Sequence, residues 1–301
     1  MDFVLGGVAC CGACLFSNPL EVVKTRMQLQ GELKAKGTYH RHYRNVFHAF
    51  YTIGKVDGLL ALQKGLISAL WYQLFMNGVR LGTYQTLADI GLTKDKDGKP
   101  IWHRSLIAGA VSGCCGAMVG SPFYLVKTHL QAQANTAIAV GHQHTHHGLR
   151  DAFIGIIRTE GIFGMWRGVT GAMARVMVGS AVQLSTFSTS KEYVKQSKVF
   201  RDDSIMVPFT ASMVGGVVVV CFMTPFDVIS TRLYNQGVDA NGRGMYYRGF
   251  LDCFYKIFRN EGVLAFYKGW SASWFRLAPH TVLSLVFWDQ TKAFYKNFKS
   301  N

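Results

Sequence analysis

Charge is absent from the chain between Phe3 and Leu20, over 18 residues, and again between Ile205 and Phe226, over 22 residues. Each run approaches the roughly 20 residues an α-helix needs to cross a bilayer. Other apolar stretches carry one isolated cation, Arg80, Arg175 or Arg276, and an ionisable group at such depth faces a water-filled cavity rather than lipid. The polar positions fall in the same order in each third of the chain. A long apolar helix is followed by a long polar loop holding a short amphipathic helix, then by a second apolar helix. The predicted helices are 2–30, 43–53 and 65–90, then 103–133, 148–158 and 168–196, then 205–235, 247–258 and 269–297, with short charged connections at 94–103 and 197–204.

The order repeats because the sequence repeats. Pro19, Pro122 and Pro225 each begin a similar decapeptide, 103 residues apart: Pro19 leads to Glu21, Lys24, Arg26 and Gln28, Pro122 to Tyr124, Lys127, His129 and Gln131, and Pro225 to Asp227, Ser230, Arg232 and Tyr234. A second motif follows each copy, Asp57-Gly58 with Lys64-Gly65, Glu160-Gly161 with Arg167-Gly168, and Glu261-Gly262 with Lys268-Gly269. A period of this length over nearly the whole chain means one unit used three times. Repeats at 1–100, 101–200 and 201–301 are expected to close around a threefold pseudo-axis as one structural domain. A proline inside a helix removes a backbone hydrogen bond and bends the axis, so three bends at equal depth draw three helices together at one end.

Composition narrows the class. Hydrophobic residues make up 49% and charged residues 16%, too apolar for an average soluble domain. The net charge of +15 would suit nucleic acid, anionic lipid or an anionic solute. The segments 24–64, 127–167 and 232–268 hold 18 of the 32 Lys and Arg, which places the long loops on the more positive face of a bilayer. A nucleic-acid-binding protein would need a basic face outside the spans and gives no reason for bent apolar helices. Seven cysteines, six within predicted spans, argue against a disulfide framework. Cys11 and Cys14 have C-x-x-C spacing, but the repeat maps Cys10 and Cys14 onto Gly, Ala or Val, so these positions ask for a small residue. The stretch Gly141 to His147 contains four histidines without a placed Cys or carboxylate partner and is read as a solvated loop. No nucleophile elbow, P-loop or dinucleotide glycine pattern occurs, so no enzyme activity, cofactor or metal is expected. No presequence is visible, and targeting is expected to be internal.

The threefold pattern, built on Pro-x-[Asp/Glu]-x-x-[Lys/Arg]-x-[Lys/Arg] and followed each time by an acid-Gly and a basic-Gly pair, with an aromatic residue before the base in repeats two and three, resembles the signature of the mitochondrial carrier family. The resemblance spans the full chain. It implies an all-α membrane protein of six tilted transmembrane helices in three pseudo-symmetric repeats, with three short matrix helices. It also implies a multi-pass place in the mitochondrial inner membrane, with the basic loops in the matrix, and a single central site open alternately to either side. A small anionic solute, cardiolipin at the matrix-side helix ends, no nucleic acid and a monomeric state are the expected partners and assembly.

An acid and a base three residues apart at the end of each odd helix can pair around a ring, Glu21 with Lys127 and Asp227 with Lys24. In the third place Tyr124 replaces the acid and Ser230 the base, so these two neutral residues are expected to meet. Losing both partners avoids an unpaired buried charge. Gln28 and Gln131 stand where the family places a glutamine brace. At the other end of the even helices the acid and base positions are eroded: Gln85 faces Lys191, Ser188 faces Lys292, and Asp289 faces Ala88, a weak cytoplasmic gate.

Seven residues after Gly65, Gly168 and Gly269 come Tyr72, Arg175 and Arg276, the family's substrate-contact level, with Gln73, Val176 and Leu277 beside them and Arg80 about two turns beyond Tyr72. Three guanidinium groups in one cavity suit two carboxylates, each held in a bidentate fork. The segments around Tyr72–Arg80 and Arg175–Gln183 are similar to the oxaloacetate carrier branch, which implies oxaloacetate, another dicarboxylate or sulfate as cargo. The Arg-Arg-Arg-Met-Met-Met motif of adenine nucleotide exchangers is absent. Proton leak on the same scaffold, or a membrane adaptor that no longer transports, remain the alternatives.

Overall fold

The computed structural model describes residues 2–34, 38–93, 101–196, 206–239 and 242–276. The first repeat consists of α1 (Asp2–Leu29), the short α2 (Val46–Val56) and α3 (Leu66–Asp89); the second of α4 (Trp102–Ala132), α5 (Leu149–Glu160) and α6 (Val169–Gln196). The third has α7 (Met206–Asn235), α8 (Phe250–Glu261) and a further helical stretch at 270–276. A 3-10 turn precedes each even helix, at Leu59–Gln63, Ile162–Trp166 and Val263–Tyr267. No strand occurs among the described residues; an isolated bridge joins Val238 and Gly244.

Pro19, Pro122 and Pro225 all lie inside their helices. Helix α3 runs along α4 and α6 along α7, α6 also packs on α4, and α1 touches α3, α4 and α7. The first long helices of the repeats, α1, α4 and α7 (the odd helices, counting only the long ones), therefore meet one another, with the second long helices, α3 and α6 (the even ones), between them. Segments His103–Ala132 and Gly215–Asn235 are each long and apolar enough to cross a membrane.

Each repeat buries the same small core. Val22 and Val23 of α1 pack with Ala49 and Ile53 of α2, Leu125 and Val126 with Ala152 and Ile156, and Val228 and Ile229 with Cys253 and Ile257. The pairs on the short helices are four residues apart, hence on one face. The opposite face is not polar: Phe47 and Tyr51 on α2, and Leu251, Phe254, Tyr255 and Phe258 on α8, are exposed. Helix α2 starts at Asn45, whose side chain accepts a hydrogen bond from the His48 backbone N–H at 2.8 Å, satisfying one of the open donors of the first turn.

The second motif's glycines have a shared packing reason. Gly65, Gly168 and Gly269 have φ of 75°, 86° and 78°, the left-handed region that side chains rarely adopt. A Cβ at these positions would stand 3.0 Å from Gln131 Cγ, 3.1 Å from Tyr234 Cγ and 3.0 Å from Gln28 Cγ respectively. Each even helix thus begins pressed against the decapeptide's last residue on the next odd helix.

Candidate functional site

Where α1, α4 and α7 converge, two carboxylates meet four cations. Lys24 Nζ is 2.6 Å from Asp227 Oδ2, and Lys127 is ion-paired with Glu21. Each acid also takes an arginine from an even helix. Arg276 Nη1 donates to Glu21 Oε1 at 3.1 Å, and Arg175 Nε lies 3.7 Å from Asp227 Oδ1. Arg175 Nη2 donates to the Tyr72 hydroxyl at 3.0 Å. The two arginines seven residues after Gly168 and Gly269 are thus attached to the same two acids that Lys24 and Lys127 hold.

Of the neutral positions expected to meet, Tyr124 lies in an aromatic cluster, its ring centroid 5.0 Å from Tyr72 in a tilted pair and 4.9 Å from Tyr234 in an edge-on one. Arg175 and Lys127 lie 5.3 Å and 5.6 Å from its ring centroid, a cation–π arrangement that lets an uncharged residue serve the positive cluster. Ser230 is fully buried, and a Cβ at Gly171 of α6 would come within 3.0 Å of its Cα.

The glutamines link neighbouring repeats. Gln28 Oε1 accepts from Thr231 Oγ1 at 2.8 Å. Gln131 Oε1 accepts from Thr25 Oγ1 at 3.1 Å, and its Nε2 donates to Asn18 Oδ1 at 3.1 Å. Tyr234 holds the third place, its hydroxyl 2.9 Å from Ser121 Oγ.

Elsewhere in the candidate site, Arg80 is half-buried, its Cβ 3.3 Å from where a Cβ at Gly116 would stand, and it makes no ion pair among the described residues. Gln73 Oε1 accepts from Asn77 Nδ2 at 3.3 Å. Val176 is buried against α4, facing Gly113. Gln85 donates to Asp89 on its own helix at 2.8 Å. Lys191 falls on α6, its side chain outside the described set, and Leu277, Asp289 and Lys292 lie outside the described residues.

A second ring lies one turn further on, and the sequence reading assigned it no role. Arg26, fully buried, is 2.6 Å from Asp57 Oδ2 and donates through Nε to the Gln131 carbonyl at the end of α4, at 3.2 Å. Arg232, also fully buried, pairs with Glu261 and reaches the Gln28 carbonyl at the end of α1, at 3.4 Å. The last carbonyls of a helix lack intrahelical donors and carry partial negative charge, so a cation from the neighbouring repeat satisfies both needs. The signal was present in the sequence: the final basic residue of each decapeptide and the acid of each Asp/Glu-Gly pair.

Repeat two fills this place differently. His129 takes the arginine position and donates through Nε2 to the Tyr234 carbonyl at 2.8 Å, while His144 Nε2 donates to the Asn235 carbonyl at 3.0 Å. Glu160, left without that arginine, is 3.1 Å from Arg167; burial raises its pKa despite the guanidinium, which acts to lower it. The expected solvated loop at Gly141–His147 is therefore corrected. Its middle packs on α4 and α7, because the carbonyls ending α7 require donors.

The family model described as Mitochondrial carrier protein matches residues 1–95, 99–198 and 201–299. The chain is 57% identical over 298 residues to solute carrier family 25 member 35 of Mus musculus, covering 99% of each protein. It is 40% identical over 295 residues to the mitochondrial oxaloacetate transport protein of Saccharomyces cerevisiae, covering 96% of this chain and 88% of that one. Against the mitochondrial citrate transporter E of Aspergillus niger it is 40% identical over 291 residues, covering 96% and 91%. Three in-register repeats, an all-helical fold with three odd helices converging on a charged cluster, and these matches agree: the chain belongs to the mitochondrial carrier family.

Proposed function

We propose that this carrier moves a small dicarboxylate, oxaloacetate or a close analogue, across the mitochondrial inner membrane by alternating access. The observation that carries the reading is the charge imbalance where the odd helices meet. Glu21 and Asp227 face Lys24, Lys127, Arg175 and Arg276, which leaves two positive charges in excess, with Arg80, two turns from Tyr72, in no ion pair among the described residues. A dianion neutralises that excess. Relatives at 40% identity named for oxaloacetate and citrate transport support a carboxylate cargo.

The shared partners suggest how binding reaches the gate. Substrate carboxylates compete with Glu21 for Arg276 and with Asp227 for Arg175. Each exchange leaves a gate acid held by one lysine alone, and a lone pair with solvent access contributes only about 0–1 kcal/mol. Tyr72 orients Arg175, Gln73 and Val176 shape the wall, and the bound anion loosens the barrier beneath it. The gate roles of Glu21, Lys24, Tyr124, Lys127, Asp227 and Ser230, and the bracing roles of Gln28 and Gln131, belong to this proposal.

Melting of the purified protein in detergent tests it, with oxaloacetate, malonate, malate, sulfate, citrate, pyruvate and ADP as ligands. A ligand at a hundred times its Kd adds about 2.7 kcal/mol to the folded state. The dicarboxylates should raise the melting temperature and pyruvate should not. A shift confined to ADP would overturn the reading, and no shift with any anion would favour the adaptor.

The membrane orientation is proposed with the long basic loops in the matrix. Leu60, Phe163 and Leu264, at the tips of the 3-10 turns, are between 73% and 87% exposed, together with the outward faces of α2 and α8. An apolar rim of this kind fits the lipid interface, cardiolipin included, better than water. Thr145 is exposed on the second loop. Thr145→Cys should resist an impermeant thiol reagent in intact mitochondria and react once the inner membrane is opened; reaction before opening reverses the topology.

A further inference from the structure

His129, His144 and His146 each present a ring nitrogen within 4.8 Å of the others. The rings are nearly parallel: His129 and His144 centroids are 3.5 Å apart, and His146 is 5.7 Å from each. His129 and His144 spend their Nε2–H on the carbonyls of Tyr234 and Asn235, which leaves both Nδ1 lone pairs unprotonated. His129 is completely buried and its Nδ1 has no hydrogen-bond partner among the described residues; His146 Nε2 is buried and also has none among them. A ligating imidazole commonly donates its other N–H to a backbone carbonyl, which fixes tautomer and ring direction.

The threefold repeat shows that this cluster is a local departure. Repeats one and three place Arg26 and Arg232 where repeat two has His129. Three residues before each short helix they place buried tyrosines, Tyr43 and Tyr247, where repeat two has His146. Both positions change to imidazole at the same interface, and His144 lies between them.

We infer that His129, His144 and His146 form a site for a divalent transition-metal ion of the zinc type at the loop-side junction of α4 and α7. Three neutral imidazoles with a fourth position for water suit Zn²⁺. Bonds of about 2.0–2.1 Å require the stacked rings to splay and draw together, and two of the three sit on a loop that can follow. Because His129 and His144 already hold the terminal carbonyls of α7, a bound ion ties α4, its loop and α7 into one unit.

The test uses the full-length protein in detergent, purified without a histidine tag, and does not depend on which solute is carried. Competition with a chromophoric chelator for Zn²⁺, and the visible d–d absorption of Co²⁺, give stoichiometry and geometry. One ion per chain is expected, with a tetrahedral Co²⁺ spectrum and a higher melting temperature on Zn²⁺ addition. His144→Ala and His146→Ala should each weaken binding at least about a hundredfold, the upper end of what losing a ligand-orienting partner costs. His147→Ala, an exposed neighbour, should leave it unchanged. The two loop variants keep His129 in the helix, and metal-free melting checks that they fold. Unchanged stoichiometry and affinity in His144→Ala and His146→Ala, or no saturable site in the wild type, overturns the assignment.

Discussion

Arg232→Leu is expected to lower the melting temperature by about 5 °C, the equivalent of about 3 kcal/mol for a chain of this size. The guanidinium is fully buried and bound to Glu261, itself 2% exposed in its side chain, and to the end of α1. Removing one partner of a buried pair strands the other's charge, which costs about 3–5 kcal/mol. Lys268 Nζ remains 2.6 Å from Glu261 Oε2, so the lower end applies. Acid should have a related effect. Burial acts to raise the Glu261 pKa, but Arg232 and Lys268 together hold it below the ordinary carboxylate value. A depressed carboxylate contributes stability that is present above its unfolded pKa and lost as pH falls through the folded one. The wild type should therefore lose this contribution below about pH 4, whereas Arg232→Leu should lose less over the same range. A variant that melts like the wild type would show that the buried pair does not hold the repeats together.

Removing Arg175 or Arg276 is the second large effect, and it falls on binding. Each charge-assisted contact contributes roughly 1.5–3 kcal/mol, so Arg175→Ala or Arg276→Ala should weaken dicarboxylate binding by about ten- to a hundredfold. Folding should survive, because Asp227 keeps Lys24 and Glu21 keeps Lys127. Lysine should restore charge but not full affinity, having no planar fork for a carboxylate or for the Tyr72 hydroxyl. Uptake of labelled oxaloacetate or malonate into proteoliposomes, beside melting curves, separates the two properties. Well-folded variants with wild-type affinity and rate would remove these arginines from the anion site.

Much of the fold is written in the repeat, and much of the charged centre in its spacing. A period of 103 residues with Pro at equal depth is visible because it depends on identity and distance alone. The short helices start three or fewer residues from their expected places, since Ala49 and Ile53, with their counterparts, mark a buried face by four-residue spacing. Acid and base three apart suffice to suggest Glu21 with Lys127. Spacing does not say how far a side chain reaches. Seven residues after a glycine fixes the turn on which Arg175 and Arg276 sit, but only packing shows that they extend to Asp227 and Glu21. The ring through Arg26 and Arg232 was half visible. Its carboxylates, Asp57 and Glu261, stand in the Asp/Glu-Gly pairs, but its other acceptors are backbone carbonyls, which leave no trace in residue types. His144 was illegible on the same ground, as its partner is the Asn235 carbonyl.

That ring also dictates an order of events during synthesis. The Gln28 carbonyl at the end of α1 waits for Arg232, 204 residues downstream, and the Gln131 carbonyl at the end of α4 turns back to Arg26 across 105 residues. The first repeat thus leaves the ribosome before the cation that binds its helix end has been made. Contacts of such long separation delay the ordering of a chain until its late segments arrive. Nascent chains stopped before α7 should accordingly remain protease-sensitive around residues 28–34, and protection should appear only when the third repeat has emerged.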